Sequence, residues 1–168
     1  GPRTSMLGSA LASNESLVEW TDAEAALTAG LNHLRQVAHA WESVLAKGVY
    51  SRSMGCLADL VFIVLLKQIF KARDISERAC HFVSSMFRSA MKAILLVLKH
   101  ETACCRSWER FLAVGKFMDM CLDDIDVALA EGVFRELTAL ELSRLIRATF
   151  GESEKRQAVL HALTPDQN

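Results

Sequence analysis

The cysteines and histidines are the residues of this sequence best suited to bind a transition metal, but they lack the spacing of a metal site. Zinc sites use thiolates and imidazoles on spacings such as C-x-x-C or H-E-x-x-H, and neither spacing occurs. The nearest approach is the pair Cys104-Cys105 with His100. Adjacent cysteines cannot both bind one ion without strain, and a fourth ligand is missing. We therefore predict a plain loop here and no metal ion.

A thiol nucleophile is also not indicated. Cys80 precedes His81, but consecutive helical residues point about 100° apart, so the two side chains cannot meet as nucleophile and base. We expect Cys80 in the core and His81 on the surface. His33 and His39 do not share a helix face closely enough to chelate an ion.

An acidic cluster suggests a site for a hard cation: Asp119, Asp123, Asp124 and Asp126. An EF-hand loop needs Gly at its sixth position and Glu at its twelfth, and this stretch instead lies within an apolar helical period. We interpret the cluster as a solvated helix face.

No pattern in the sequence carries catalysis. Glycine-rich phosphate loops and nucleophile elbows are absent. The alternative of a carboxylate metalloprotein would need Glu-x-x-His pairs on facing helices, and neither His81 nor His100 has a Glu three residues before it. The sequence predicts a protein that is not an enzyme and has no cofactor.

Composition favours an all-α protein. Hydrophobic residues make up 51% of the 168 residues, and the only prolines, Pro2 and Pro165, lie at the ends. The formal net charge of −1 gives no overall field to attract nucleic acid or anionic lipid. Five cysteines without framework spacing fit a reducing cytosol. The apolar run 60–66 is shorter than the roughly 20 residues that span a bilayer, so we predict a fully buried helix segment and no membrane insertion.

Periodicity and capping signals predict a bundle of about six helices, four long and two short. Capping patterns at Thr21, Asp74, Ser107, Thr138 and Ser153 mark five starts. The predicted helices cover 21–47, 51–71, 74–98, 107–131, 138–150 and 153–163. Gly48 and Gly132 are the expected stops of the first and fourth, and Gly115 is a possible weak point.

The expected organisation is one domain. Residues 1–5 resemble a protease-cleavage scar, 6–20 a flexible or partly helical lead, 21–163 a single helical bundle and 164–168 a tail. The segment 100–106 breaks the helical period and is predicted to be an exposed loop.

Basic residues gather towards the C-terminus without the interleaved aromatics of a nucleic-acid site. They form either scattered solubilising charge or the polar rim of a protein interface. Within the second hypothesis, the candidate interface residues are Arg144, Arg147, Phe150, Lys155 and Arg156, with Phe150 as the apolar anchor. Trp20, Trp41 and Trp108 become anchors only if exposed.

The last two helices carry a motif with a family resemblance. Its residues are Glu141, Leu145-Ile146-Arg147-Ala148, Phe150, Glu154-Lys155-Arg156, Ala158 and Leu160. This order resembles the extreme C-terminus of the Zeste White Ten family of kinetochore and vesicle-tethering proteins. Tyr50 with Met54-Gly55, the turn 74–76 and the helix 108–132 are also similar to the family, whereas 100–106 departs from it. The likeness covers about 44–163.

The resemblance implies the C-terminal helical-bundle module of a helical-rod subunit in a multisubunit tethering complex. Members of this family act at the endoplasmic reticulum, capture Golgi-derived vesicles and engage SNARE proteins. At kinetochores they join the Rod and Zwilch subunits and support the spindle checkpoint. The implied direct partner is a Rod-like or Sec-thirty-nine-like (NAG-like) tether subunit, and the family brings no catalytic residues. A helical adaptor of a different tethering complex is the alternative.

Overall fold

The computed structural model describes residues 3–164, with side chains from Trp20 onwards, and this part of the chain forms seven α-helices, one 3-10 turn and no strand. The helices are α1 (Arg3–Glu42), α2 (Lys47–Lys71), α3 (Glu77–Val97), α4 (Trp108–Met118), α5 (Leu122–Ala130), α6 (Ala139–Thr149) and α7 (Glu154–Leu163). The predicted all-α fold is confirmed. Residues 1–2 of the predicted scar and 165–168 of the predicted tail lie outside the described residues, and residues 3–5 belong to α1.

The first helix begins earlier than predicted. α1 runs through Thr21 without interruption, so the capping pattern there does not start a helix, and the backbone of residues 3–20 belongs to α1. A capping sequence starts a helix only where the preceding chain turns out of helical conformation. Leu27, Leu31 and Leu34 are buried against α2 and α3, as their spacing predicts. Gly48 does not stop α1, because it lies in the first turn of α2.

The second helix is buried on fewer sides than predicted. Phe62, Leu65 and Leu66 are buried, but Leu60 is 61% exposed and Val64 is 57% exposed. A helix that is apolar all round buries only the sides that meet other helices. The prediction of a fully buried segment is therefore wrong for this part of α2.

Two helices, α2 and α3, are long and apolar enough to cross a bilayer by length and composition. Buried helices in the core of a globular protein meet the same criterion. Both helices pack against α1 and α4 and contribute many of the fully buried side chains. The buried faces of both helices belong to the core of this bundle, while each helix also keeps apolar side chains exposed.

The predicted fourth helix is two helices. α4 ends at Met118 and α5 begins at Leu122, with the break at 119–121. Gly115 does not cause the break, since it lies within α4 against the ring of Phe87. The predicted stop at Gly132 is confirmed: its φ of 73° lets the N–H of Val133 bond back to the Ala128 carbonyl, which closes α5.

Aromatic side chains from three helices meet at the centre of the bundle. The ring of Phe111 on α4 stacks between Phe62 on α2, at a centroid distance of 3.9 Å, and Phe87 on α3, at 3.8 Å. Phe117 continues this core towards Phe150 at the end of α6. The contacts bring α2, α3, α4 and α6 together through large buried side chains.

The segment 100–106 is only partly the exposed loop that we predicted. Cys105 is buried, and the Cys104 backbone lies directly over Gly55 of α2. The Ser107 hydroxyl makes no capping bond to α4. The backbone N–H groups of Arg106 and Ser107, just before α4, donate instead to Asp59 of α2.

The last two helices follow the predicted signals closely. Thr138 and Glu141 form both bonds of a capping box at the start of α6, and Ser153 accepts the Arg156 N–H at the start of α7. Ile75, in the turn before α3, donates its N–H to the Ala148 carbonyl at 2.8 Å. This bond holds the end of α6 against the turn that follows α2.

Candidate functional site

An open groove of about 710 Å³ lies between α2 and α6, and most of the surface that its lining residues expose to it is apolar. The lining residues are Ile63, Val64, Leu66, Lys67, Gln68, Phe70, Lys71, Ser107, Arg110, Glu141 and Arg144. Phe70, Lys71 and Arg144 also line a neighbouring pocket of about 390 Å³, which extends to Arg73 and Arg147. We call the two together the α2–α6 groove.

The α6 wall of the groove contains two of the residues predicted for a partner interface. Arg144 and Arg147 are exposed and lie three residues apart, so they share one side of the helix. Leu140, one turn before Arg144, is also exposed. The α6 wall thus presents two cations, and the exposed Leu140 lies just beyond the groove lining.

The α2 wall was not among the predicted site residues. Leu60, Ile63 and Val64 are exposed on one face of α2, and Lys67 and Lys71 continue the same face. The sequence carried a usable signal, because four or more consecutive apolar residues in a helix cannot all point into one interface. The apolar run 60–66 is predicted to be core because the sequence does not show how many sides of α2 are covered by other helices.

An ion pair fixes the base of the groove. The Arg110 guanidinium on α4 donates to both carboxylate oxygens of Glu141 on α6, at 2.8 and 3.1 Å, and to the Glu136 carbonyl at 3.2 Å. It also lies over the ring of Phe70 on α2. Three helices are joined at this point, so the two walls of the groove keep their spacing.

Two opposing effects act on the pKa of the Glu141 carboxyl. Partial burial raises the pKa, while bonds from Arg110 and from the Thr138 N–H lower it. The lowering effects prevail, so the pKa lies below its ordinary value. Glu141 is therefore ionised at neutral pH and already neutralised by Arg110, which leaves the cations of the groove without a nearby free carboxylate on α6.

The other three predicted interface residues lie elsewhere or have internal partners. The Lys155 ammonium pairs with Asp123 of α5. The Arg156 side chain is only 11% exposed, and its guanidinium donates to the Phe150 carbonyl at 2.7 Å and to Glu152 at 3.0 Å. Phe150 is half-buried against Phe117. The structure therefore separates these residues from the exposed pair Arg144 and Arg147.

The cysteine and aspartate clusters also have structural partners. Burial raises the pKa of the Cys105 thiol to about 12, helped by its bond to Asp59, and burial raises that of Cys80 to about 11. Among the acidic residues, Asp119 pairs with Arg88 at 2.7 Å. Within the described part of the chain, no three His, Cys, Asp or Glu side chains are placed to hold a metal ion.

Sequence comparison places these features in a known family. The family described as the ZW10 C-terminal helical domain matches residues 25–163. The centromere/kinetochore protein zw10 of Drosophila grimshawi is 27% identical over 132 residues, which are 75% of this chain and 18% of that protein. That of Drosophila pseudoobscura pseudoobscura is 25% identical over 131 residues, with the same coverage of 75% and 18%. The chain therefore spans about 18% of the length of these relatives. The predicted resemblance is confirmed, and the chain belongs to the family of the ZW10 C-terminal helical domain.

Proposed function

We propose that this chain is a non-enzymatic docking module of a multisubunit membrane-tethering complex that captures Golgi-derived vesicles at the endoplasmic reticulum and engages SNARE proteins. In mitosis the same module serves the kinetochore complex that contains Rod and Zwilch. The family match across residues 25–163 carries this proposal. The chain's similarity to two centromere/kinetochore proteins zw10 supports the kinetochore part.

The proposed mechanism is docking of helix faces. Large side chains from α2, α3 and α4 stack in the centre of the bundle, so the module presents a surface that does not need to be ordered on binding. Exposed apolar side chains with cations around them have the layout of an interface core and rim. Arg144 and Arg147 are the rim residues that we assign to partner contact.

The proposed direct partner is a Rod-like or Sec-thirty-nine-like (NAG-like) subunit. The other tether subunits and SNARE proteins associate through the assembled complex. The module acts from the cytoplasmic side, peripheral to the endoplasmic reticulum membrane, and binds neither nucleic acid nor the bilayer core.

Co-purification tests this function directly. The tagged chain is isolated from interphase and from mitotic cells, and the full-length subunits bound to it are identified by mass spectrometry. We expect tether subunits in interphase, and Rod with Zwilch in mitosis. Enrichment of neither set over an untagged control would overturn the proposal.

A variant in which two positive charges are reversed tests which surface of the chain contacts the partner. In the Arg144→Glu/Arg147→Glu variant we expect the partner signal to fall by at least about tenfold, because like charges then face each other at the rim. Arg78→Glu on α3 is the matched control, since Arg78 is an exposed arginine outside the groove. Circular dichroism checks that both variants fold.

A further inference from the structure

We propose that the α2–α6 groove binds an acidic amphipathic helix of a partner subunit. The apolar stripe of that helix packs on Leu60, Ile63 and Val64, and its carboxylates face the cations on both walls. This inference rests on the proposed function and deepens it. It names the chemistry of the partner and assigns α2 to the interface.

The apolar wall is a continuous patch. Leu60, Ile63 and Val64 lie at positions i, i+3 and i+4 of α2, so their exposed surfaces adjoin along one helix face. Contiguous apolar surface with a polar border is typical of a protein contact, whereas single exposed apolar residues are common everywhere. Leu140, one turn before Arg144 on α6, is a fourth exposed apolar side chain, and it lies outside the groove lining.

The shape of the groove fits a helix. Residues 60–71 of α2 extend about 16 Å at 1.5 Å per residue, which matches roughly three turns of a partner helix. The side chains of one helix form ridges that insert into the groove between two others. A flat surface would touch only the walls, whereas a ridge reaches Leu66 and Phe70 at the base.

The charge of the groove selects an acidic partner. Lys67, Lys71 and Arg73 on the α2 side and Arg144 and Arg147 on the α6 side form no ion pair within the described residues. The chain as a whole carries a formal charge of −1, so this face has a local excess of positive charge. Because Lys67 and Lys71 continue the apolar face along α2, and Arg144 and Arg147 lie across the groove on α6, the complementary helix has carboxylates around its apolar stripe.

Two synthetic helical peptides provide the first test. They share a three-turn Leu/Ile stripe at i, i+3, i+4 and i+7, and one carries Glu on both flanks where the other carries Lys. Fluorescence anisotropy measures their affinity for the chain at about 50 and about 200 mM salt. We expect the Glu peptide to bind at least about tenfold more tightly than the Lys peptide, with the difference shrinking at the higher salt. Equal affinity of the two peptides would overturn the proposal.

Substitutions locate the peptide on the chain. The Val64→Asp variant and the Arg144→Glu/Arg147→Glu variant should each bind the Glu peptide about tenfold or more weakly than the unmodified chain does. Leu96→Asp and Lys92→Glu are the matched controls, since both residues are exposed on α3 outside the groove. The controls should change affinity by less than about twofold. Equal losses in groove and control variants would place the binding elsewhere and contradict the proposal.

A cross-link identifies the natural occupant. A photo-reactive residue at position 64 is expected to cross-link, in cells, to an acidic amphipathic segment of a co-purifying subunit. A cross-linked segment without that pattern contradicts the proposal. So does binding to phosphatidylserine vesicles that depends on Arg144 and Arg147 while the Glu peptide does not bind, because the ligand is then a membrane surface.

The outcomes separate the two proposals. If no tether or kinetochore subunit co-purifies with the unmodified chain, the proposed function fails. If those subunits co-purify equally well with the Val64→Asp variant and the Arg144→Glu/Arg147→Glu variant, the groove proposal fails together with the assignment of Arg144 and Arg147 to partner contact, while the proposed docking function stands.

Discussion

The carboxylate of Asp59 on α2 accepts the backbone N–H of Ser107, 48 residues later in the chain, at 2.7 Å and so caps the N-terminus of α4, which begins at the next residue. The oxygen that accepts the Ser107 N–H, Oδ1, also accepts a hydrogen bond from the Cys105 thiol. The second carboxylate oxygen, Oδ2, accepts the Arg106 N–H at 3.1 Å. A negative charge is favourable at a helix N-terminus, where backbone N–H groups lack partners. One side chain of α2 therefore holds the two residues that lead into α4.

Removal of this cap should destabilise the fold. We expect Asp59→Ala to lower the free energy of unfolding by about 1–3 kcal/mol, because it leaves partly buried N–H groups without an acceptor. Asp59→Asn should lose less, since its amide oxygen still accepts one bond. Urea denaturation followed by circular dichroism measures both. Asp126→Ala, an exposed aspartate on α5, is the control, and a loss as large as that of Asp59→Ala would refute the capping role.

Glycine at position 55 is required by the close approach of another segment. A Cβ atom there would lie 2.2 Å from the Cys104 carbonyl oxygen, so Gly55→Ala should force the backbone apart and cost about 1–3 kcal/mol. Gly30→Ala on α1 is the matched control, because a Cβ there meets nothing within 4 Å. We expect Gly30→Ala to stabilise the chain by about 0.5–1 kcal/mol. Thermal unfolding should thus show shifts of opposite sign, and shifts of the same sign would contradict the packing argument.

The Arg110–Glu141 pair predicts a pH-dependent contribution to stability. Glu141→Gln keeps a capping residue but removes the charge, so it should cost about 1 kcal/mol at pH 7. Because the pKa of Glu141 is lower in the folded state, its contribution is present above the ordinary value of 4.5 and is lost as the pH falls through the folded pKa.

Unfolding free energies of the two proteins between about pH 7 and pH 3 test this sign. The difference between wild type and Glu141→Gln should shrink as the pH falls. A difference that is constant with pH, or that grows in acid, would show that the ionised pair does not stabilise the fold.

The aromatic stack should be the most sensitive part of the core. Phe111→Ala removes a buried ring from between Phe62 and Phe87 and should cost about 3–5 kcal/mol. Phe150→Ala should cost less, because Phe150 is only half-buried and touches Phe117 edge-on. Chemical denaturation gives both values, and the reverse order would contradict the assignment of the core centre to Phe111.

Local signals predicted α6 and α7 accurately, and a similar signal failed for α1. At Thr138 and Ser153 the hydroxyl bonds to a backbone N–H three residues ahead, so the interaction is complete within one turn. The sequence at Thr21 has the same kind of capping pattern, but the chain before Thr21 is already helical. Capping competes with helix continuation, and the preceding residues decide the outcome.

The roles of surface side chains depended on how the chain folds around them. Arg147 and Arg156 belong to the same C-terminal motif, but Arg147 is exposed at the groove while Arg156 bonds to the Phe150 carbonyl. Sequence does not distinguish them, since both are arginines on short helices. The two arginines have different environments because the turn between α6 and α7 gives the two helices different directions.

By itself, the sequence determined that this chain is helical, where α6 and α7 begin, and which family it resembles, because helix propensity, caps and motif order act over a few residues. Only the tertiary structure decided that α2 leaves Leu60, Ile63 and Val64 uncovered beside Arg144 and that Asp59 caps α4. Both results depend on which helices pack on α2. That packing is set by the sum of many weak contacts between residues far apart in the chain.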